Sequence, residues 1–344
     1  MLLEKLSTAR GVSGNEKEVR EILIEEIKNR VDDYRVDTIG NLITHKKAKG
    51  ARRNALKVMI AAHMDEVGLM VVHADGKGFV KFSKVGGIDD RVLLSKVVKI
   101  GKDAKVGVIG SKPVHLTTGK ERETVIESNA MYIDIGAKSK EDALGAVQIG
   151  DYVTFATEFG KMGDGMVKGK ALDDRVGCAI LADLLKRDFP FDLYGIFTVQ
   201  EEVGVRGARV AAYTIEPDLA FVLESTPCDD SPKENKMEPR IRLGNGPVIT
   251  IADRSTFTDR RLTKLLIETA KDNRIPYQIK QPMIGGTDAG RIHLTKEGVR
   301  SAVVSIPTRY IHSPVAVLST DDVDNALTLM SKTLPRLSKG LPNN

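Results

Sequence analysis

ALKVMIAA, residues 55–62, is a short and almost unbroken apolar run. Such a run suits a strand buried on both faces of an open sheet. His63-Met64-Asp65 follows it directly. Outward from that strand the pattern repeats. LYGIFTVQ (193–200) is a second apolar strand, and Leu219–Leu223, Val248–Ala252 and Val299–Ile306 read as others. Helical spacing separates them: 174–187 through Val176, Ile180, Leu181 and Leu184; 206–213; 258–272 through Leu262, Leu265 and Leu266; and 321–337. Upstream, Ser13-Gly14-Asn15-Glu16 has the form of a capping box ahead of Val19, Ile22, Leu23 and Ile27, predicting a helix over 15–30. Residues 34–46 read as a strand pair turning near Gly40-Asn41. Strands alternating with helices predict an α/β fold, an open sheet with helices on both faces.

Between about Val71 and Met166 the texture changes. Short β-prone runs (79–82, 92–100, 106–109, 131–135, 152–155) are separated by Gly, Asp and Lys, with no convincing long helix. This predicts a small all-β barrel or sandwich. The expected organisation is a discontinuous α/β unit, 1–70 and 167–344, with a β domain inserted at 71–166.

Composition narrows the class. The chain has 344 residues, 41% hydrophobic and 29% charged, so collagen-like, disordered and disulfide-scaffold classes are excluded. Its net charge of +5 is scattered and forms no nucleic-acid surface. No apolar run has the roughly 18–20 residues of a membrane span. Met1-Leu2-Leu3-Glu4-Lys5 lacks the apolar start of a signal peptide, so a cytoplasmic location is expected. Cys178 and Cys228 are too few for a thiolate metal site.

Chemistry-bearing side chains fall repeatedly at the carboxyl ends of the predicted strands, where open α/β sheets bind ligands. His63 and Asp65 share one side of their strand end, so His63 could bind a metal while Asp65 fixes its ring. H-x-D alone is a common surface pattern. Asp173-Asp174 opens a helix, where one aspartate can cap and the second adds repulsion that a dication would relieve. Glu201-Glu202 closes LYGIFTVQ. Two adjacent glutamates at a buried strand end are costly unless paired or metal-bound. Pointing oppositely, they would serve as a ligand and a general base. Glu224 ends the strand Leu219–Leu223, and His312 lies just past Val299–Ile306. Together His63, Asp173, Glu202, Glu224 and His312 form an N/O donor set suited to Zn, Mn, Co or Fe. Two metals sharing one carboxylate use all five, and Asp173 is the natural bridge if the other four split evenly.

AHMDEVG (62–68), GKALDDRVG (169–177), VQEEVGVRGA (199–208), GGTDAG (285–290) and IPTRYIHSP (306–314) appear in that order. They resemble the motifs of metallopeptidase family 42, the zinc-exopeptidase-like TET-type aminopeptidases with glutamyl, leucyl, lysyl and deblocking members. Some members also carry an endoglucanase label. Glycosidases use two separated carboxylates and no metal cluster, so that label is set aside. The resemblance implies that His63 and Glu224 hold one metal, Glu202 and His312 the other, and Asp173 bridges them, with a cis peptide to Asp174. It further implies that Asp65 orients His63 and Glu201 is the general base. The turn Gly286-Thr287-Asp288 would lie along the substrate cleft. The family commonly has Asp where this chain has Glu224; Asp229 and Asp230 are the nearby alternatives.

The expectation is a cytoplasmic dinuclear aminopeptidase acting on short peptides with two divalent ions per subunit, Zn or Co first. No nucleic acid and no membrane partner is expected. The resemblance implies a tetrahedral dodecamer built from dimers. The alternatives are an N-acyl amino acid deacylase on the same scaffold and a catalytically silent scaffold.

Overall fold

The computed structural model describes residues 1–50, 55–228, 230–232, 241–280, 283 and 285–342. Helices α1 (Leu2–Thr8) and α2 (Lys17–Ile27) precede strands β1 (Asp33–Val36), β2 (Leu42–Lys46) and β3 (Lys57–His63). Six strands follow: β4 (Gly68–Ala74), β5 (Val80–Val85), β6 (Val97–Ile100), β7 (Lys105–Gly110), β8 (Tyr132–Asp134) and β9 (Tyr152–Phe155). Short helices α3 (Gly119–Arg122) and α4 (Lys140–Ala146) lie among them. Then come β10 (Gly160–Lys161), β11 (Met166–Gly169), α5 (Leu172–Leu184), β12 (Asp192–Thr198) and α6 (Arg206–Ile215). The rest of the chain supplies β13 (Leu219–Pro227), β14 (Val248–Ile249), α7 (Arg260–Asp272), β15 (Gln278–Ile279), α8 (Ala289–Ile292), β16 (Arg300–Arg309), β17 (Ala316–Ser319) and α9 (Thr320–Thr333).

The large sheet runs β1-β2-β12-β3-β13-β16-β17-β11-β10, with β14 and β15 attached beside β16. Its centre, β12-β3-β13-β16, is parallel, so four strands end at the same edge. The unbroken apolar runs are explained by burial on two sides. Val58, Ile60 and Ala62 of β3 join the core under α1, α2, α5, α7 and α9. Met59 and Ala61 face the opposite core, closed by α6 and α8. In β13, Leu219, Phe221 and Leu223 take the first side and Ala220 and Val222 the second. Burying a large aliphatic side chain stabilises by roughly 1.5–3 kcal/mol, so these strands anchor the frame.

Strands β4 to β9 close into a barrel in the order β4-β5-β8-β7-β6-β9, with its own core of Leu69, Val71, Phe82, Val98, Ile133 and Val153 among others. Closure removes the exposed edges an open sheet would leave. Its first strand starts at Gly68, where a methyl group would sit 2.3 Å from Val12 Cγ2; only glycine fits the chain against that side chain.

Three local expectations are corrected. Ser13 does not cap α2, whose N-cap is Glu16; the Ser13 hydroxyl donates elsewhere. The run from Val92 is not strand until Val97, because the Asp89 carboxylate accepts the Arg91 N–H and starts a 3-10 turn at Asp90–Val92. The strands β10, at the sheet edge, and β17, between β16 and β11, were not expected. They are short, and β17 owes its place to antiparallel pairing with β16 and β11.

Candidate metal centre

All five expected ligands converge at the edge where the parallel strands end. His63 is the last residue of β3, and Glu224 lies within β13. Glu202 follows β12 and His312 follows β16. Asp173 lies in the kinked first turn of α5, joined to Asp174 by a cis peptide bond.

Asp173 stands between the two imidazoles. Its Oδ1 is 3.3 Å from His63 Nε2, and its Oδ2 is 3.3 Å from His312 Nε2. Glu224 Oε1 is 3.4 Å from His63 Nε2, and Glu202 Oε2 is 3.3 Å from His312 Nε2. Each ring has its Nδ1 against a carbonyl: Asp65 O at 3.1 Å for His63, and Gly87 O at 3.0 Å for His312. A carbonyl only accepts, so the neutral ring keeps its proton on Nδ1 and presents the Nε2 lone pair to the carboxylates.

The electrostatics are those of a crowded acidic site. Burial pushes Glu202 up to about 8 and Glu224 up to about 7, and the neighbouring Asp173 charge adds to both. Burial also raises Glu201 well above the usual carboxylate range. Asp173 goes the other way. Burial works against its charge, but His312 and His63 hold it well below the ordinary value. His312 is raised to about 9 although burial opposes it, because Asp173 and Glu202 face it.

The donor chemistry fits divalent cations. Asp173 Oδ1 and Glu224 Oε2 are buried with no hydrogen-bond partner among the described residues, and unpaired buried carboxylate oxygens are costly. His63, Asp173 and Glu202 bring ligand atoms within 4.8 Å of one another, as do His63, Asp174 and Glu224. Asp174 is the weaker member, since backbone donors already occupy it: the Gly177 N–H at 3.0 Å and the His63 N–H at 3.2 Å. A methyl at Gly177 would lie 2.4 Å from Asp174 Oδ2, so the glycine of GKALDDRVG makes room for that carboxylate.

Asp65, wholly buried, is a hub. Its Oδ1 accepts the Glu201 N–H at 2.9 Å. Its Oδ2 accepts the Glu202 N–H at 3.1 Å and the Ser13 hydroxyl at 2.6 Å. The Glu201–Glu202 turn is pinned from behind too. Asn41 accepts the Val199 N–H and donates to the Gly207 carbonyl. Glu202 goes to His312, while the Glu201 carboxyl accepts no hydrogen bond among the described residues.

Of the expected substrate turn, Gly286 is exposed, whereas Thr287 and Asp288 are buried. Asp288 accepts the Thr198 hydroxyl at 2.5 Å, at the end of β12. Asp230 forms a two-pronged ion pair with Arg309 at 2.7 Å, which leaves it no ligand role; Asp229 lies outside the described residues. Cys178 and Cys228 are free thiols. Three contributors went unread in the sequence. Ser13 carried a signal, but it pointed to a helix cap. Gly87 carried none. The buried group Glu66, Lys170 and Arg175, with Lys170 Nζ 2.8 Å and Arg175 3.3 Å from Glu66, was hidden in two motifs already spent on ligands.

The family model "M42 glutamyl aminopeptidase" matches residues 40–329. A protein of Acetivibrio thermocellus is 45% identical over 97% of both chains. The TET aminopeptidase of the marine sediment archaeon Thaumarchaeota archaeon SCGC AB-539-E09 superposes with a TM-score of 0.93 at 38% identity, covering 98% of this chain and 95% of that one. Pyrococcus horikoshii TET1 peptidase, which can assemble into a tetrahedron or a large octahedral shell, gives 0.84 at 35% identity, covering 97% and 99%. The fold and site are those of a metal-dependent exopeptidase, a hydrolase of peptide N-termini. The chain belongs to the M42 aminopeptidase family.

Proposed function

We propose that this protein removes N-terminal residues from short peptides with two divalent cations and a glutamate base. The observation that carries the reading is the placement of Asp173, with one carboxylate oxygen beside each imidazole. In it, His63 and Glu224 hold one cation, Glu202 and His312 the other, and Asp173 both. Zinc and cobalt suit this imidazole–carboxylate set best. Such cations, when bound, supply Lewis acidity toward the scissile carbonyl and toward water.

The chain's own groups do the rest. Glu201 takes the proton of the attacking water and passes it to the leaving amine. Its burial raises its proton affinity, which suits a group that must take a proton from water and then return it. Asp65 holds the Glu201 and Glu202 amides and carries the His63 ring on its own carbonyl. The Gly286-Thr287-Asp288 turn borders the cleft, offering backbone at Gly286 while Thr287 and Asp288 support it from beneath.

The division into 1–70 with 167–344 and an inserted 71–166 unit, the cytoplasmic location and a homo-oligomer built through the barrel belong to the same reading. The exposed Val97, Val106 and Val108 on β6 and β7, with Val114 and Leu116 nearby, support the last. No helix among the described residues is long and apolar enough to cross a membrane.

The test is a panel of amino-acid arylamides and N-acyl amino acids on chelated protein, with zinc or cobalt restored stepwise. Turnover of free-amine substrates that appears with two metal equivalents supports the reading. Full activity at one equivalent, or turnover of the acylated substrates alone, overturns it.

A further inference from the structure

The pairing of β3 with β12 ends at His63 and Thr198, so the four amides that follow, Val199 to Glu202, need other acceptors. Each finds a side-chain oxygen from another part of the chain. Val199 donates to Asn41 at 3.1 Å, and Gln200 to Glu16 at 3.2 Å. Glu201 and Glu202 donate to Asp65 at 2.9 and 3.1 Å. Asn41 and Asp65 are wholly buried, and Glu16 is 4% exposed.

Gln200 is where the chain turns toward Glu201. Its φ is +56°, a left-handed conformation that is uncommon outside glycine and costly unless the surroundings impose it. That angle is the rotation about the bond from the Gln200 nitrogen. An acceptor fixed against the Gln200 N–H therefore restrains the rotation that aims the next side chain. Glu16 is placed to be that acceptor. It is the N-cap residue of α2, yet its carboxylate caps no amide of its own helix. Its Oε1 accepts the Gly14 N–H at 2.6 Å and, 184 positions along the chain, the Gln200 N–H. The first bond braces the carboxylate against its own loop, and the second carries that bracing to the end of β12. Ser13 of the same loop donates to Asp65, so the segment 13–16 supports the turn at two points.

We propose that Glu16 is a positioning residue for the reaction: through the Gln200 amide it holds Glu201 at the angle from which that carboxylate reaches the attacking water. This inference rests on the aminopeptidase reading and adds to it a residue outside the proposed ligand set. What the turn requires of Glu16 is an oxygen at that point, not a negative charge. Misplacing a reacting group by about 1 Å costs up to roughly 100-fold in rate.

The experiment measures kcat, KM and metal content on the metal-loaded wild type, Glu16→Asp and Glu16→Gln, with the arylamide that the wild type turns over best. Glu16→Asp keeps the charge, and Asp is a favoured N-cap, so α2 keeps its start. One methylene shorter, it draws the oxygen back from Gln200. Its kcat should fall roughly 10- to 100-fold, with KM and metal content held. Glu16→Gln keeps the length and a carbonyl oxygen that can accept both amides, and it should recover most of that loss. In a Glu201→Gln background, Glu16→Asp should cost no more than about twofold further, because the group it positions is gone. Wild-type kcat in Glu16→Asp overturns the proposal. So does a Glu16→Gln loss as large as that of Glu16→Asp, which would make the charge the requirement. Metal lost together with kcat would make Glu16 a support of Glu202, and equal losses in both backgrounds would place its effect elsewhere than Glu201; either result overturns it. Each of these sinks this inference alone, given a wild type whose metal-dependent turnover falls in Glu201→Gln. A wild type without metal-dependent turnover, or a fully active Glu201→Gln, sinks the reading it rests on as well.

Discussion

The amide N–H of Glu201 donates to the Asp65 carboxylate at 2.9 Å, tying the end of β12 to the end of β3. The Glu202 N–H donates to the other oxygen at 3.1 Å. One buried side chain therefore sets both the proposed base and a proposed ligand, and its main-chain carbonyl sets His63 as well. Asp65→Asn must turn an N–H₂ toward at least one of these donors. Activity and metal affinity should each fall about 10- to 100-fold. Titration of metal into the chelated variant, followed by turnover, would measure both; wild-type values would show that the hub is only structural.

Glu201→Gln is nearly isosteric and removes only the proton acceptor. Turnover should fall by roughly 10² or more with metal content and melting temperature held. Activity near wild type in a metal-replete sample would remove Glu201 from the mechanism.

Asp173→Ala should release both cations, because each imidazole shares that carboxylate. His63→Ala and His312→Ala should each release mainly one. Elemental analysis after dialysis decides. One tightly held equivalent in the Asp173 variant would make it a ligand of one site only.

Chelated protein should lose stability as pH rises from about 5 to 9. Burial pushes Glu224 up to about 7 and Glu202 up to about 8 in the fold, above the ordinary glutamate value of 4.5, so between those values the native state binds more protons than the unfolded chain. Stability then falls with pH. His312, raised to about 9, acts in the same direction: its contribution is full below the unfolded value of 6.5 and is lost as pH passes 9. Cations replace those protons, so the gap in melting temperature between loaded and chelated protein should widen across that window. A gap that narrows with pH would contradict the assignment of these carboxylates to the metals.

Glu66 is 3% exposed at its side chain and faces Lys170, Arg175 and the Gly11 N–H. Glu66→Gln leaves two buried cations without a counter-charge. Breaking a buried pair costs about 3–5 kcal/mol. Denaturant unfolding of the loaded protein should show a loss of that order, and a loss under about 1 kcal/mol would show that water or neighbouring carbonyls take over.

Much of this was legible because the chemistry sits where chain periodicity changes. The runs at 55–62 and 193–200 end in His63 and Glu201-Glu202, so the strand ends marked the ligands. Residues whose role depends on what packs from elsewhere were not legible. Ser13 is 52 positions from Asp65, and its local pattern matched a helix cap. The Val92 run carried strand-like side chains, but Asp89 turned the backbone before they could pair.

The Gly87 carbonyl that receives His312 Nδ1 comes from the segment after β5, inside the inserted barrel. Beside it, Gly86 approaches the Cβ of Glu202. The barrel is thus not a detachable accessory to the candidate site. A minimal enzyme made by splicing β3 directly to β11 would keep every liganding residue in its sequence and still lose the tautomer of one imidazole. In the homo-oligomer proposed above, the same excised piece of chain would carry assembly too, and assembly and chemistry would then be constrained to change together.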